Sequence, residues 1–339
     1  MGGMWFDPGT LADSLSETVG YKAGLALSIK EMCDHLSGTD LPDLIYDSEE
    51  EVVRLRSEEY AHIFYKLLHC VGYTREEYDG DLTGSCLFHK YRDTPLWEIF
   101  EKVTNLYVGM WPKLIKHAKE KGTNKIDPTP FARECQRQFG TIGFRMAIER
   151  IDIVIRAQDL HPYLGTRYNE WKDIESLSSL FEGSTKQAIY GKFFDQRFID
   201  YLSNNPGRIS QIHWRKFEEL TAEYFERNGY QVDLGPGSND DGVDIRIWKE
   251  NDNILESPHA IIQCKRQKSK IEKIIIKGLY ADMQFEKANL GLIVTTSELS
   301  PGSRKTISVR GYPIREVNKN SLLNWLDKLR TPGTGIIRR

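Results

Sequence analysis

Two short stretches, DDGVDI (residues 240–245) and IIQCKR (261–266), decide how the C-terminal part of this 339-residue chain folds. The first leads into VDIRIWKE, in which apolar and polar side chains alternate, and the second ends the mostly apolar run HAIIQCKR. Both patterns are typical of β-strands, and the polar loop NDNILESP between them predicts an antiparallel hairpin. Gln263 and Lys265 interrupt the second strand, although buried strands seldom contain a lysine without a functional reason.

The register of this hairpin determines whether three polar side chains meet. A loop centred near residue 254 places Asp244 opposite about position 264, within one residue. Gln263 and Lys265 share one face of their strand because side chains alternate along it. If that face is also the face of Asp244, the three groups converge, whereas a slip by one residue separates them. The sequence leaves this register open.

The surrounding residues predict an α/β fold. Residues 213–229 predict a helix that Gly229 ends, and the strand YQVDLG and the turn PGSNDDG follow it. After the hairpin we expect a helix, a buried strand, a short helix, another strand and a last helix, with the named segments at 271–287, 290–297, 313–317 and 320–329. The order αβββαβαβα corresponds to a mixed β-sheet flanked by helices.

The first two hundred residues have a mainly α-helical pattern. Four stretches place apolar residues at spacings of three and four: 48–70, 95–122, 145–160 and 184–202. Pro112 is expected to break the second of these helices. The turn cluster NNPG (204–207) marks the boundary to the α/β part. We therefore predict a helical domain over 1–205, for sensing, binding or oligomerisation, and an α/β domain over 206–339.

Composition indicates a globular protein, with 40% apolar and 28% charged residues. No apolar run approaches the roughly 18 residues needed to span a bilayer, so we expect no membrane partner. The N-terminus lacks the pattern of a secretory signal. The five cysteines are scattered and no pair has metal-ligand spacing, which favours reduced thiols and a cytoplasmic location.

Charge is distributed unevenly along the chain. From Pro206 onward there are 22 Lys and Arg against 17 Asp and Glu, whereas the preceding residues have 24 against 32. The basic C-terminal part suits a polyanionic partner such as nucleic acid. The acidic N-terminal part does not suit the main contact surface for such a partner.

The residue types of Asp244, Gln263 and Lys265 suit metal-assisted hydrolysis of a phosphodiester. Carboxylate and amide oxygens are the hard ligands that Mg²⁺ or Mn²⁺ prefers. A lysine beside the metal orients or deprotonates an attacking water and stabilises charge on phosphorus. Because an amide replaces a second carboxylate, we expect weak metal affinity in the absence of substrate.

Several motifs together resemble the Mrr-type restriction endonuclease domain, a Gln-x-Lys version of the PD-(D/E)xK nuclease superfamily. The segments WRKFEEL, SNDDGVDI, IIQCKR, LIVTTSELS and PIREVNKNSLLNWLDKL occur in that family's order and spacing, over about residues 210–330. The resemblance implies that Asp244 and Gln263 bind the metal and that Lys265 is the catalytic lysine. The Pro-Asp pair of the superfamily's name is absent, since Val243 precedes Asp244.

Two further acids enter through the same resemblance. Glu218, in FEEL, matches a helix glutamate that completes the metal site in this family, although an ordinary surface position explains it equally well. Asp240 matches an acid in the turn before the strand. Glu223 lies further round the predicted helix and is expected to be solvated. Cys264 faces away from Gln263 and is expected to be a core residue.

Other polar residues near the site have two interpretations each. Arg266, Lys268 and Lys270 form a basic run that suits phosphate contacts, or a solvated start of the next helix. The hydroxyls of TTS (295–297) lack a neighbouring base in sequence and are expected to bond locally at a strand end.

These features favour a Mg²⁺-dependent or Mn²⁺-dependent DNA endonuclease of restriction or anti-phage defence type. One alternative is a catalytically silent nucleic-acid-binding module of the same fold. Another is that the N-terminal region senses a partner protein or a small-molecule trigger within a defence complex. The chain has one Asp…Gln-x-Lys set, so cutting two strands suggests a homodimer.

Overall fold

A computed structural model describes residues 3–78, 85–123, 126–162, 169–183, 187–237 and 242–330 of the chain. The helices in these ranges are α1 (Thr10–Ala23), α2 (Ile29–His35), α3 (Leu41–Asp47), α4 (Ser57–Cys70), α5 (Ser85–Tyr91), α6 (Trp97–Glu120), α7 (Thr129–Leu160), α8 (Gln196–Asn204), α9 (Trp214–Arg227), α10 (Lys273–Glu286), α11 (Pro301–Arg310) and α12 (Lys319–Leu329). The strands are β1 (Gly3–Phe6), β2 (Leu25–Ala26), β3 (Val53–Arg56), β4 (Glu175–Ser176), β5 (Tyr230–Leu234), β6 (Ile245–Lys249), β7 (Ala260–Lys265), β8 (Leu290–Thr295) and β9 (Ile314–Val317).

The C-terminal elements build a five-stranded mixed sheet in the order β5-β6-β7-β8-β9. The strand β6 runs antiparallel to both β5 and β7, whereas β7, β8 and β9 run parallel to one another. The helices α10 and α11 form the crossovers between the parallel strands, as parallel pairing requires. The β6–β7 hairpin pairs Ile245 with Ile262.

Helices cover the two faces of this sheet. On one face Ile261 and Ile293 form a buried core with Ile276 and Leu279 of α10. On the other face α9 packs against β5, β6 and β7, and the Cys264 thiol lies 3.6 Å from the Thr221 hydroxyl of α9. Since Cys264 and Ile261 differ by an odd number of residues, strand alternation alone places them on opposite faces.

Local sequence explains the bounds of α9. The His213 ring accepts a hydrogen bond from the Arg215 backbone N–H and caps the helix start. After Asn228 the chain turns at Gly229, whose φ of 83° favours glycine, and β5 begins at the next residue.

The chain divides into two compact units. One comprises residues 1–3, 55–65 and 78–168, and its core lies between α6 and α7, with Phe100, Phe131 and Met146 buried.

The second unit comprises residues 4–54, 66–77 and 169–339 and contains the five-stranded sheet. Within it, Arg330 donates to the backbone oxygen of Gly72 at 3.0 Å and to Asn204 Oδ1 at 2.5 Å. The compact unit that contains the sheet therefore also includes N-terminal segments. The domain boundary at 205/206 stays a prediction.

Three expectations for the N-terminal region are wrong in detail. The helix expected over 48–70 begins only at Ser57, because Val53–Arg56 form β3. Of the stretch 184–202, the helix covers only its end, from Gln196. Pro112 does not break α6. A proline lacks the N–H that would have bonded to the carbonyl of residue 108. Because Val108 is 64% exposed, water can donate to that carbonyl instead.

No helix among the described residues is long and apolar enough to cross a membrane.

Candidate active site

Asp244 immediately precedes β6 and is held by both of its backbone groups. Its N–H donates to the Ile262 oxygen at 3.0 Å, and its carbonyl accepts from the Gly235 N–H at 2.9 Å. The carboxylate Oδ2 accepts from the Cys264 N–H at 2.6 Å. Asp244 is 8% exposed. The carboxylate thus lies against β7 at the residue that separates Gln263 from Lys265.

Gln263 contributes a buried amide with an unused acceptor. It is 8% exposed, and Oε1 has no hydrogen-bond partner among the described residues. An unpaired buried acceptor costs about 1–3 kcal/mol. Gly242 lies close by, because a Cβ built there would be 3.2 Å from Gln263 Nε2, and its φ of 89° also favours glycine. The backbone before Asp244 therefore packs closely on this amide.

Lys265 ends β7 and is half-buried. Its carbonyl accepts from the Thr295 hydroxyl at 2.7 Å. Its ammonium group makes no hydrogen bond or ion pair with any residue that the structure describes. The backbone at this position is therefore fixed by β8, while the charged group is not committed to a protein partner within the described residues.

Glu218 of α9 belongs to the same neighbourhood. It is 6% exposed, so the alternative of an ordinary surface glutamate does not hold. Its Oε2 accepts from Arg215 Nη1 at 2.9 Å.

The pKa of the Cys264 thiol depends on the charged residues around it. Burial raises the pKa of Cys264 well above its ordinary value, the charges of Asp244 and Glu218 raise it further, and that of Lys265 lowers it. Three of the four proposed site residues are therefore near one thiol at the sheet surface. Asp240 lies outside the described residues.

The donor set is small and weakly charged. Among the described residues, no group of three or more His, Cys, Asp and Glu side chains is arranged to hold a metal ion. The candidate oxygen ligands are the carboxylates of Asp244 and Glu218, which also accept hydrogen bonds, and the amide oxygen of Gln263, which has no partner among the described residues. Such a set suits Mg²⁺ or Mn²⁺, which take one or two protein carboxylates and fill their remaining positions with water and phosphate oxygens.

The basic run after β7 is anchored by the hydroxyls of residues 295–297. The Thr296 hydroxyl accepts from the Gln267 N–H and donates to the Gln267 oxygen, both at 3.1 Å. The Ser297 hydroxyl donates to the Lys268 oxygen at 3.3 Å. The expectation of local bonding holds for the Thr295 hydroxyl, which accepts from the Ser297 N–H at 3.1 Å, whereas the hydroxyls of Thr296 and Ser297 bond to residues 29 positions earlier in the chain.

The three basic side chains of this run differ in their surroundings. Arg266 is exposed and donates to the Ser210 oxygen at 3.0 Å. Lys268 is exposed. Lys270 forms an ion pair with Glu298 at 2.7 Å, which offsets its charge. Of the three, Lys268 therefore best keeps the properties of a phosphate contact.

The expectation for Glu223 is wrong. It is 1% exposed, and its Oε2 accepts the N–H groups of Lys192, Phe193 and Phe194 at 2.9, 2.7 and 3.2 Å. Arg227 Nε donates to its other oxygen at 2.6 Å. The partners lie thirty residues earlier in an irregular segment, which helix periodicity cannot reveal.

Part of the chain matches a known protein family. Residues 209–326 match the family model of the Mrr catalytic domain, described as a restriction endonuclease. The uncharacterized protein y4cE of Sinorhizobium fredii is 28% identical over 95 residues, 28% of this chain and 24% of that protein. The chain thus spans about a quarter of that relative's length.

One solved structure was also found. The MspJI restriction endonuclease in complex with a 27-mer oligonucleotide aligns with 58% of this chain and 44% of its own, at 18% identity and a TM-score of 0.27. A score this low does not establish a shared overall architecture.

Proposed function

We propose, from the premise that residues 209–326 form a restriction endonuclease domain of the Mrr type, that this chain is a metal-dependent endonuclease that hydrolyses DNA phosphodiester bonds. The observation that carries the proposal is the buried Gln263 amide oxygen, which has no hydrogen-bond partner among the described residues, on the strand that also binds the Asp244 carboxylate. A site that leaves a buried acceptor unpaired in the protein is suited to a cation.

Each residue has a distinct role in this proposal. Asp244 and Gln263 hold Mg²⁺ or Mn²⁺, with Glu218 as a further carboxylate. The bound ion supplies Lewis acidity toward the phosphate oxygens. Lys265 orients the attacking water and stabilises the negative charge that develops on the phosphoryl oxygens. A bond from the water oxygen to phosphorus forms while the bond to the leaving deoxyribose oxygen breaks; the water loses one proton and the leaving oxygen takes one up, so the step is balanced.

Metal binding by Glu218 depends on its ion pair with Arg215. Its carboxylate is paired with Arg215 at 2.9 Å, so binding a cation there requires that Arg215 release it or share it. We therefore assign Asp244 and Gln263 the main part in metal binding.

The biological setting is proposed from the family. We place the activity in restriction or anti-phage defence, in the cytoplasm, where the five free cysteines stay reduced. Residues 1–205 are proposed to bind a partner protein or a small-molecule trigger. Support comes from α7, where Phe144, Ile148 and Ile155 are at least one-third exposed at spacings of four and seven residues.

The test is cleavage of supercoiled plasmid with Mg²⁺ or Mn²⁺, by the wild type and by Asp244→Asn. The asparagine keeps an oxygen for the Cys264 N–H, so the fold is retained while the charge is lost. We expect cleavage that chelation abolishes and a loss of at least about 100-fold in the variant. Wild-type DNA binding without cleavage under any metal would favour the silent module, and undiminished cleavage by Asp244→Asn would exclude this site.

A further inference from the structure

Arg215 lies beside the candidate active site and is bound to one of its carboxylates. Its Nη1 atom donates to Glu218 Oε2 at 2.9 Å, and the two residues share one side of α9 because they are three positions apart. Three residues further on, Thr221 places its hydroxyl 3.6 Å from the Cys264 thiol. The Arg215–Glu218 ion pair therefore lies on the side of α9 that packs against β7.

The guanidinium group of Arg215 also lies close to the turn that leads to Asp244. A Cβ built at Gly237 would be 3.1 Å from Arg215 Nη1. Two residues before Gly237, the Gly235 N–H donates to the Asp244 oxygen at 2.9 Å. Arg215 is thus adjacent both to the Glu218 carboxylate and to the segment that positions the proposed metal-binding aspartate.

A ligand from solution can reach this ion pair from the arginine side. The Arg215 side chain is 25% exposed, whereas the Glu218 side chain is 8% exposed. The preceding Trp214 is exposed, and the exposed Arg266 donates to the Ser210 oxygen at 3.0 Å, just before the start of α9. A guanidinium presents its donors in a planar fork that matches phosphate oxygens. A DNA phosphate can therefore compete with Glu218 for Arg215.

A second buried glutamate of α9 is held in a different way. The Glu223 carboxylate accepts the backbone N–H groups of residues 192–194, which cannot leave it unless the backbone moves. The Arg215 side chain, in contrast, can leave Glu218 by rotating about its own single bonds. The contact between Arg215 and Glu218 is therefore suited to being broken and remade.

We propose that Arg215 makes metal binding at the candidate active site depend on DNA. Without DNA, Arg215 occupies the Glu218 carboxylate. A phosphate of bound DNA takes over the guanidinium group, and the released carboxylate becomes a further ligand beside Asp244 and Gln263. Arg215 acts through Glu218 and is therefore a positioning residue. The proposal rests on the proposed function, since it requires a cation at these residues.

This role has a thermodynamic consequence that can be measured. If DNA raises the affinity of the chain for the cation, the cation must raise the affinity for DNA by the same factor. Part of that factor comes from phosphate oxygens that bind the cation directly. The other part comes from the release of Glu218, and it should disappear when Arg215 is replaced, because Glu218 is then released in the absence of DNA as well.

Mn²⁺ binding to the full chain without DNA, followed by electron paramagnetic resonance, is the first test. Arg215→Gln should bind Mn²⁺ at least about fivefold more tightly than the wild type, because the ion pair no longer opposes metal binding. Adding Glu218→Gln should cancel the gain. The matched control is Lys216→Gln, which removes the same charge from a neighbouring position that is paired with Glu219 at 2.7 Å, and it should change Mn²⁺ affinity by less than about twofold.

The same titration with a saturating short DNA duplex tests the release of Glu218. It is carried out in the Lys265→Ala background so that the duplex stays intact. DNA should raise the Mn²⁺ affinity at least about fivefold more when Arg215 is present than in the Arg215→Gln variant, because only the chain with Arg215 has a carboxylate left to release.

Equal Mn²⁺ affinities of the wild type and Arg215→Gln without DNA would overturn this role of Arg215. So would a gain that persists with Glu218→Gln, or one that Lys216→Gln shares. A loss of stability in Arg215→Gln with unchanged Mn²⁺ affinity would show that the ion pair is only structural. If Asp244→Asn leaves Mn²⁺ binding unchanged, the proposed metal site itself is wrong, and the role of Arg215 with it. If Asp244→Asn weakens Mn²⁺ binding but Arg215→Gln does not strengthen it, only the role of Arg215 is wrong.

Discussion

Gln263 places a buried amide group in the strand β7, at the candidate active site. A glutamine in a buried strand is unfavourable unless its oxygen and nitrogen are paired, and here the oxygen has no partner among the described residues. Glu218 and Asp244, in contrast, are buried acids with hydrogen-bond donors nearby. This acceptor, unpaired within the described part of the chain, is therefore the main support for the proposed cation site.

Replacing Gln263 by leucine tests this interpretation. Removing an unpaired buried amide should relieve a cost of about 1–3 kcal/mol, so the free energy of unfolding in chelator should stay equal or rise. DNA cleavage should be lost because the substitution removes a proposed metal ligand. The measurements are urea denaturation and plasmid cleavage. A large destabilisation would mean that the amide has a structural partner and would remove the main support for the metal site.

The sequence predicts the pairing of the two hairpin strands to within one residue, and it leaves open the one residue that decides whether the three side chains converge. The ladder begins with Ile245 opposite Ile262, the Asp244 N–H also bonds to the Ile262 oxygen, and the Asp244 carboxylate reaches the Cys264 N–H, between Gln263 and Lys265. The sequence could not predict that β6 starts only at Ile245, because the Asp244 N–H bonds to the oxygen of Ile262, which is already the partner of Ile245, and the Asp244 carboxylate bonds to the Cys264 N–H. The roles of Asp244, Gln263 and Lys265 stay predictions.

At the scale of elements, two charged residues of α9, Glu223 and Arg227, hold this helix against the segment that leads into α8. Glu223 fastens the backbone of residues 192–194 to α9 through three N–H groups. Arg227 joins the same carboxylate and also donates to Gln196 Oε1 at 2.6 Å. This cluster connects α9 to the segment leading into α8, and it does so without any residue of the candidate active site.

Glu223→Ala should destabilise the unit that contains the sheet. The substitution leaves three N–H groups and the Arg227 guanidinium without their acceptor, and breaking a buried pair from one side costs about 3–5 kcal/mol. Chemical denaturation measures the loss. Glu226→Ala on the same helix is the matched control, since its ion pair with Lys192 is long, at 3.9 Å, and partly exposed, and should be worth less than about 1 kcal/mol. Equal effects for the two variants would contradict the described contacts.

The packing of α2 on α8 makes stability depend on pH. Burial, followed by the positive charge of Arg208, lowers the pKa of His35 from 6.5 to about 4, and His35 Nε2 lies 3.3 Å from the Tyr201 hydroxyl. The unfolded chain then binds a proton more readily than the folded chain. The stabilisation is complete above pH 6.5 and is lost as the pH falls toward 4.

His35→Gln should weaken this acid sensitivity. The wild type should lose up to about 3 kcal/mol of unfolding free energy through this histidine between pH 7 and 4, and the variant should lose correspondingly less. Urea denaturation across that range measures the difference. His117→Gln, at an exposed position of α6, should retain the wild-type slope, and an unchanged slope in His35→Gln would argue against a buried neutral imidazole.

The sequence predicts an element well when the residues that determine it lie close together in the chain. The strand β7 and the helix α9 follow from alternation, apolar spacing and Gly229, all visible within a few residues. The strand β3 was missed because its four residues precede α4 without a turn signal. The segment before α8 was predicted as helix from its apolar residues, although its backbone N–H groups are used by Glu223.

At the scale of the molecule, the two compact units do not correspond to an N-terminal and a C-terminal part of the sequence. The unit that contains the sheet also includes residues 4–54 and 66–77, so N-terminal residues contribute directly to the stability of the part matched to restriction endonucleases. A truncation at residue 205 would remove Asn204, which binds the side chain of Arg330, and Gly72, which accepts from it.

We therefore expect residues 206–339 alone to be less stable than the full chain. Loss of these contacts and of the α8–α12 packing exposes apolar surface that the full chain covers. Thermal denaturation of the two forms measures the difference. Equal melting temperatures would show that the C-terminal part folds independently of the N-terminal segments.

The central claim is that Lys265, with Asp244 and Gln263, carries out hydrolysis at one metal-dependent site. The most direct measurement is the rate of plasmid cleavage at saturating Mg²⁺ by Lys265→Ala and by Lys268→Ala, two lysines three residues apart of which only the first belongs to the site. The account predicts a loss of at least about 100-fold in rate for Lys265→Ala with DNA binding retained, and weaker DNA binding with a near-normal rate at saturating DNA for Lys268→Ala. Cleavage by Lys265→Ala at the wild-type rate would contradict it.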